Sequence, residues 1–101
     1  MEYKGYTYIL TNYTNTVLYV GVTNDLIRRI NEHKDGRGSL FTSKYHCNKL
    51  VYFDVFPDIE QAIHREKQLK SYPRAWKENL INEKNPDWND LSVDLHDNPD
   101  I

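Results

Sequence analysis

The chain has 101 residues, of which 39% are hydrophobic and 28% charged, and its formal net charge is −2. A chain of this length has room for one hydrophobic core, so we expect a single folded domain. No stretch approaches the roughly 18 apolar residues that a membrane helix needs, and no signal peptide is recognisable, so we expect a cytoplasmic protein without a membrane partner. The single Cys47 excludes an internal disulfide.

The charge is distributed unevenly along the chain. All 13 Lys and Arg residues lie within residues 1–86, which have a net charge of +3, whereas residues 87–101 contain five Asp and no base. A mildly basic body is compatible with phosphate binding, but it is also typical of an ordinary solvated surface. We interpret residues 1–86 as the folded domain and residues 87–101 as an acidic tail. This tail is expected to be extended and partly docked or disordered, with Trp88 and Leu91 as its docking residues.

The first half of the chain predicts a hairpin followed by a helix. Residues 6–12 and 17–22 are rich in β-branched and aromatic residues, and they flank a polar stretch that is suited to a turn. Capping side chains precede residues 25–35, whose apolar residues recur at helical spacing, which predicts a helix there. Residues 36–47 contain two glycines and no clear period, so we expect a mobile surface loop that acts as a lid.

The second half of the chain predicts one strand and two helices. Bulky residues alternate over 50–56, which indicates a strand, and Asp58 is a candidate N-cap for a helix that runs to about residue 70. A second helix is expected at about 73–84, because proline is favoured in a first turn. The predicted fold class is α+β, with a three-stranded antiparallel sheet flanked by three helices in the order β-β-α-β-α-α.

Glu66 lies on the apolar face of the helix that follows Asp58. Burying a carboxylate costs free energy unless a cation or hydrogen-bond donors compensate it. One interpretation is a structural ion pair with Arg29 or Lys70. The other is a Mg²⁺ ligand, because Mg²⁺ is often held by only one or two protein carboxylates, with water and phosphate completing its coordination.

Two further pairs of residues have both a structural and a chemical interpretation. Arg29 and His33 are four residues apart and share one face of the first helix. They could belong to a solvated surface, or Arg29 could bind a phosphate and stabilise the charge of a phosphodiester transition state. Tyr8 and Tyr19 are typical strand aromatics. To act as a base, a tyrosine needs a nearby cation that stabilises its phenolate.

The order and spacing of these residues resemble the GIY-YIG nuclease family over about residues 5–86. The resemblance is strongest to the small stand-alone bacterial members and is more distant to the N-terminal nuclease domain found in the excinuclease ABC system. One departure is that Tyr6 and Thr7 stand where the first family motif has glycine and isoleucine. The matching segments are Thr7-Tyr8-Ile9, Tyr19-Val20-Gly21, Arg29 with His33, Ala62-Ile63-His64-Arg65-Glu66, and Lys77, Leu80 and Ile81 followed by Asn85-Pro86.

The resemblance implies hydrolysis of DNA phosphodiester bonds with one Mg²⁺ or Mn²⁺ ion per site. In that case Glu66 would be the metal ligand, Tyr8 would position or deprotonate the attacking water, and Arg29 would stabilise the charge on the phosphate. The same resemblance implies that Tyr19 and His33 are supporting acid, base or hydrogen-bond partners. Asn85 would orient the site.

Basic residues of the body could follow a DNA backbone without reading bases. These candidates are Arg37, Lys44, Lys67, Lys70, Arg74 and Lys77. No sequence-reading motif is visible, so specificity would come from DNA shape or from a protein partner that supplies targeting. Three hypotheses stay open: a structure-directed endonuclease of DNA repair or recombination, a non-catalytic DNA-binding module, and an adaptor whose acidic tail covers the basic face.

Overall fold

The computed structural model describes residues 4–99 and residue 101. Within this part of the chain no helix is long and apolar enough to span a bilayer. One antiparallel sheet has the strand order β2-β1-β3, so the predicted α+β fold and its three-stranded sheet are confirmed. The strands are β1 (Gly5–Thr11), β2 (Leu18–Thr23) and β3 (Lys49–Phe56), and the helices are α1 (Leu26–Lys34), α2 (Leu40–Tyr45), α3 (Ile59–Ser71), α4 (Arg74–Lys84) and a 3-10 helix at Leu91–Asp97.

The central strand β1 supplies side chains to both faces of the sheet, because successive residues of a strand point to opposite sides. On one face Tyr8 packs in a buried cluster that includes Leu26 of α1. On the other face Ile9 packs in a second cluster that includes Leu69 of α3 and Ile81 of α4. The sheet is therefore covered by helices on both sides, which stabilises so small a number of strands.

The segment 36–47 contains a short helix, so the prediction of a loop is wrong for the residues of α2. Ser39 is its N-cap, and the Ser39 hydroxyl accepts a hydrogen bond from the backbone N–H of Thr42 at 3.1 Å. His46 ends the helix in the left-handed conformation, at φ 56°. Thr42 is buried, so α2 is packed against the domain.

The C-terminal segment is also docked, and residues 91–97 are helical rather than extended. Leu95 of the 3-10 helix is buried in the same cluster as Tyr8, and Leu91 packs against that cluster. Asp90 pairs with Lys34 Nζ at 2.7 Å and caps the 3-10 helix through a backbone N–H of its first turn. The described tail therefore lies against α1.

Candidate active site

Tyr8 lies at the centre of the candidate site and is fully buried. It pairs across the hairpin with Gly21, and a Cβ at Gly21 would clash with Cζ and Oη of the tyrosine. The glycine therefore gives the ring space to lie over β2. There the phenol oxygen lies 2.8 Å from Nε2 of His33 in α1. The hairpin register thus places Tyr8 in contact with His33, and both residues were predicted for the site.

His33 is enclosed on the side away from Tyr8 as well. Its Nδ1 lies 2.9 Å from the Thr42 hydroxyl, and a Cβ at Gly38 would clash with the imidazole. Burial, and then the neighbouring Arg29 cation, lower the pKa of His33 to about 4. The imidazole is therefore neutral near pH 7, with one nitrogen as donor and the other as acceptor.

One assignment of the His33 proton satisfies the hydrogen bonds around Thr42. The Thr42 hydroxyl is placed to donate to the Ser39 carbonyl at 3.3 Å. It then accepts from Nδ1–H of His33, which leaves Nε2 to accept from the Tyr8 hydroxyl. In this assignment His33 is oriented by Thr42 and accepts a hydrogen bond from Tyr8.

The electrostatic surroundings of Tyr8 keep it protonated in the resting protein. Burial raises the pKa of Tyr8 to about 12, while a hydrogen bond from Arg29 acts in the opposite direction. The neighbouring Tyr19 and Glu66 raise the pKa further. Arg29 is therefore the cation that the sequence interpretation required beside a tyrosine base, and Glu66 is an anion whose charge acts on the same tyrosine.

Arg29 is held in place by two oxygens beside the tyrosine. Its guanidinium donates to Glu32 Oε1 at 3.0 Å and to the Gly38 carbonyl at 2.7 Å. The neighbouring Arg28 instead lies on the exposed surface and pairs with Asp25 and Glu32. The fixed position of Arg29 suits it to bind an anion that approaches Tyr8.

Tyr19 closes the site on the side of α2. Its ring centroid lies 5.6 Å from that of His33 and 6.5 Å from that of Tyr8. Phe41 of α2 stacks on the outer side of Tyr19, with the centroids 5.8 Å apart. Tyr19 therefore packs between the buried histidine and the surface.

Glu66 lies on α3, which is fixed to the strand that carries Tyr8, and the charge of Glu66 acts on Tyr8. The Thr7 hydroxyl donates to the carbonyl of Ala62 at 2.7 Å, one helical turn before Glu66. Thr7 stands where the family motif has isoleucine, so its hydroxyl adds a bond that isoleucine could not make. The Glu66 side chain is 15% exposed and pairs with Lys70 at 3.0 Å, so of the two predicted ion-pair partners it is Lys70 that contacts Glu66.

A metal ion at Glu66 would have a single protein carboxylate as its ligand. Among the residues that the structure describes, no three His, Cys, Asp or Glu side chains form a cluster that could hold an ion. Glu66 would therefore supply one carboxylate, with water and substrate oxygens completing the coordination, as Mg²⁺ accepts. The ammonium of Lys70 that pairs with Glu66 is on an exposed side chain.

Asn85 is not brought to this group of side chains. Its Nδ2 donates to the carbonyl of Val51 at 3.1 Å and to that of Asn89 at 2.9 Å, and its Oδ1 accepts from the N–H of Asn89. Val51 is the extra residue where the register between β1 and β3 shifts. The observed contacts of Asn85 thus connect an irregularity of β3 to the C-terminal segment.

The predicted DNA-binding residues have different surroundings. Arg37 precedes α2 and pairs with Asp35 at 2.8 Å, whereas Lys44 lies in the last turn of α2. Lys67 and Lys70 are exposed on α3, and Lys77 is half-buried on α4. The guanidinium of Arg74 is already engaged by Glu78 and by the carbonyls of Asn15 and Thr16 in the hairpin turn.

Sequence reasoning missed the contribution of α2 to the site. The Thr42 hydroxyl contacts Nδ1 of His33, and the Phe41 ring stacks on Tyr19. Ser39, which precedes both, caps the helix through Thr42. The spacing of Ser39 and Thr42 was the available signal, because serine is a favoured N-cap.

Comparison with known proteins agrees with the resemblance seen in the sequence. The family model described as the GIY-YIG catalytic domain matches residues 4–79. A UPF0213 protein of Haloquadratum walsbyi is 37% identical over 78 residues, covering 77% of this chain and 86% of the relative. A UPF0213 protein of Streptococcus pneumoniae is 36% identical over 92 residues, covering 91% of each chain.

A solved structure is similar to this chain in both fold and sequence. The solution NMR structure of a UPF0213 protein from Bacillus halodurans superposes with a TM-score of 0.55 at 32% sequence identity. The match covers 91% of this chain and 96% of the other. The buried Tyr8 and the residues around it all lie within the 4–79 match, and on this evidence the chain belongs to the GIY-YIG family.

Proposed function

We propose that this chain is a divalent-metal-dependent DNA endonuclease that hydrolyses phosphodiester bonds. The observation that carries the proposal is the short Tyr8–His33 hydrogen bond, with the Arg29 cation beside it. Membership of a nuclease family supports nucleic acid as the substrate. Glu66, whose charge acts on the same tyrosine, completes a set of groups suited to phosphodiester hydrolysis.

The residues of the site can each perform one part of the reaction. Tyr8 would take a proton from the attacking water while its own proton passes to Nε2 of His33. The negative charge of a bound phosphodiester would favour the protonated imidazole by Coulomb attraction. Arg29 would bind a phosphate oxygen and stabilise the negative charge that develops on the phosphorus centre. Glu66 would hold Mg²⁺ or Mn²⁺, which when bound supplies Lewis acid chemistry to the phosphate.

We further propose that cleavage depends on the structure of the DNA rather than on its base sequence. In this proposal exposed cations such as Lys44 of α2 and Lys70 beside Glu66 contact phosphates, and phosphate contacts carry no sequence information directly. A role in DNA repair or recombination in the cytoplasm is consistent with such a preference. A protein partner could supply further targeting.

Cleavage assays with matched variants test the proposed activity. Wild type should nick or cut supercoiled, single-stranded or branched DNA in Mg²⁺ or Mn²⁺, and a chelator should stop the reaction. Glu66→Gln and Tyr8→Phe should each lower the rate about 100-fold or more, as expected for loss of a metal ligand or proton-transfer group. Glu60→Gln on the exposed first turn of α3 and Tyr13→Phe in the exposed hairpin turn are the controls.

The assay has clear contrary outcomes. Equal cleavage by wild type, Glu66→Gln and Tyr8→Phe would assign the activity to a contaminating nuclease. Absence of cleavage on every substrate would refute the proposed hydrolysis and favour the second candidate, a DNA-binding or adaptor module. One observation favours this second candidate. Glu66 already pairs with Lys70, and Arg29 already pairs with Glu32. DNA binding that persists in both variants without cleavage would support it.

A further inference from the structure

Exposed aromatic and apolar side chains continue from the candidate site onto the surface of α2. Leu40 is 92% exposed, Phe41 43% and Tyr45 41%. We call these three residues the α2 platform. The platform is connected to the site through Phe41, which stacks on Tyr19, and through α2 itself, whose Thr42 contacts His33.

Aromatic rings form a continuous series from the buried tyrosine to this surface. The centroids of Tyr8 and Tyr19 are 6.5 Å apart, those of Tyr19 and Phe41 5.8 Å, and those of Phe41 and Tyr45 4.8 Å. The planes of Tyr19 and Phe41 are inclined by only 27°. The series therefore begins at the hydrogen bond to His33 and ends at rings that are open to solvent.

The charges around the platform suit an anionic aromatic ligand. Lys44 lies over the Tyr45 ring, with Nζ 5.4 Å from the centroid. Arg37 is exposed just before α2 and pairs with Asp35, and no acidic residue occurs in the sequence from 36 to 48. Flat apolar rings bordered by cations match the two parts of a nucleotide, because bases stack on aromatic side chains and phosphates bind cations.

We propose that the α2 platform binds unpaired bases of DNA next to the phosphate that is cleaved, with a base stacked on Phe41 or Tyr45. The proposal rests on the proposed nuclease function and specifies its substrate as DNA with a single-stranded segment. In a duplex the faces of the bases are covered by their neighbours, so a stacking platform selects unpaired bases. Stacked nucleotides rise about 3.4 Å per step. Phe41, centred 5.8 Å from Tyr19, therefore lies within about two nucleotides of the site.

Binding assays without divalent ions test the platform independently of cleavage. Fluorescence anisotropy with the protein in chelator would compare a blunt duplex with the same duplex carrying a single-stranded overhang. Phe41→Ala should weaken binding to the overhang DNA about tenfold and leave duplex binding unchanged, since stacking of one base on an aromatic side chain has about this magnitude. Phe41→Tyr should bind as wild type does.

A second readout reports stacking itself. The fluorescence of 2-aminopurine in the overhang should be quenched when wild type binds, and the quenching should be lost in Phe41→Ala. Tyr45→Ala keeps the contact between Phe41 and Tyr19 and should also weaken overhang binding. The matched control is Trp76→Ala, which removes an exposed aromatic ring from α4 on the opposite face of the sheet. This control should change neither measurement.

Several results would overturn the proposal. Unchanged overhang binding in both Phe41→Ala and Tyr45→Ala would do so, as would an equal loss of duplex and overhang affinity. Formation of a wild-type dimer that both variants dissociate would assign the platform to self-association instead. Because these measurements need no cleavage, a wild type that binds overhangs through the platform but never cuts DNA would refute only the proposed hydrolysis.

Discussion

The buried His33 should make the stability of the protein depend on pH. Burial, followed by the Arg29 cation, lowers its pKa from 6.5 to about 4 in the folded protein. The unfolded chain therefore binds a proton at this residue at a higher pH than the folded protein does. The contribution of neutral His33 to stability is complete above pH 6.5 and is lost as the pH falls toward about 4.

The size of this effect follows from the two pKa values. Each tenfold difference in proton affinity corresponds to about 1.4 kcal/mol. The difference between 6.5 and about 4 therefore predicts that His33 alone lowers the free energy of unfolding by about 3 kcal/mol across this pH range. This is a large share of the roughly 5–15 kcal/mol that stabilises a typical domain.

Urea unfolding of wild type and His33→Gln at a series of pH values between about 7.5 and 4 would measure the effect. Glutamine cannot be protonated, so the stability advantage of wild type over the variant should shrink by about 3 kcal/mol as the pH falls. Carboxylates with a lowered pKa, such as Asp90, also lose their contribution in acid, but they do so in both proteins. His64→Gln, at an exposed position on α3, is the control.

A parallel loss of stability in wild type and His33→Gln would refute the reasoning. It would mean that the folded protein accepts the imidazolium at little cost. An NMR titration of the His33 ring protons would give the pKa of the folded protein directly.

Three further predictions concern the framework of the site. Gly21→Ala should displace the Tyr8 ring and destabilise the protein by about 1–3 kcal/mol, and it should reduce any cleavage activity far more than Val22→Ala, at the next residue of β2, measured in the same assays. Asn85→Ala should leave the Val51 carbonyl without its partner and cost about 1–3 kcal/mol in urea unfolding while leaving the pH effect of His33 intact. Asp90→Ala should speed amide hydrogen exchange in the 3-10 helix, and equal exchange rates in wild type and variant would contradict its capping role.

The parts of the site that the sequence predicted are those with strong local patterns. The hairpin strands are rich in β-branched and aromatic residues, so the pattern predicted the hairpin that carries Tyr8 and Tyr19. The register that sets Tyr8 opposite Gly21 comes from the structure. Arg29 and His33 are four residues apart on one helix and share a face for that reason. Glu66 was conspicuous as an acid among apolar neighbours, and it is indeed largely buried.

The parts that the sequence did not predict depend on contacts between distant segments. A helix of six residues is too short for a periodic pattern, and α2 is stabilised by the contact of Thr42 with His33. The surroundings of Asn85 depend on an irregularity in β3 and on a carbonyl 34 positions away. No local pattern encodes either contact.

The hydroxyl of Thr7 and the phenol of Tyr8 belong to adjacent residues of β1 but bind on opposite faces of the sheet. One fixes α3, which carries Glu66, and the other contacts α1. Because strand side chains alternate, inserting or deleting one residue before this pair would turn each toward the wrong face. We therefore expect β1 to tolerate substitutions more readily than insertions or deletions. The number of residues between this pair and its contacts, Gly21 and Ala62, constrains how the chain can evolve or be redesigned.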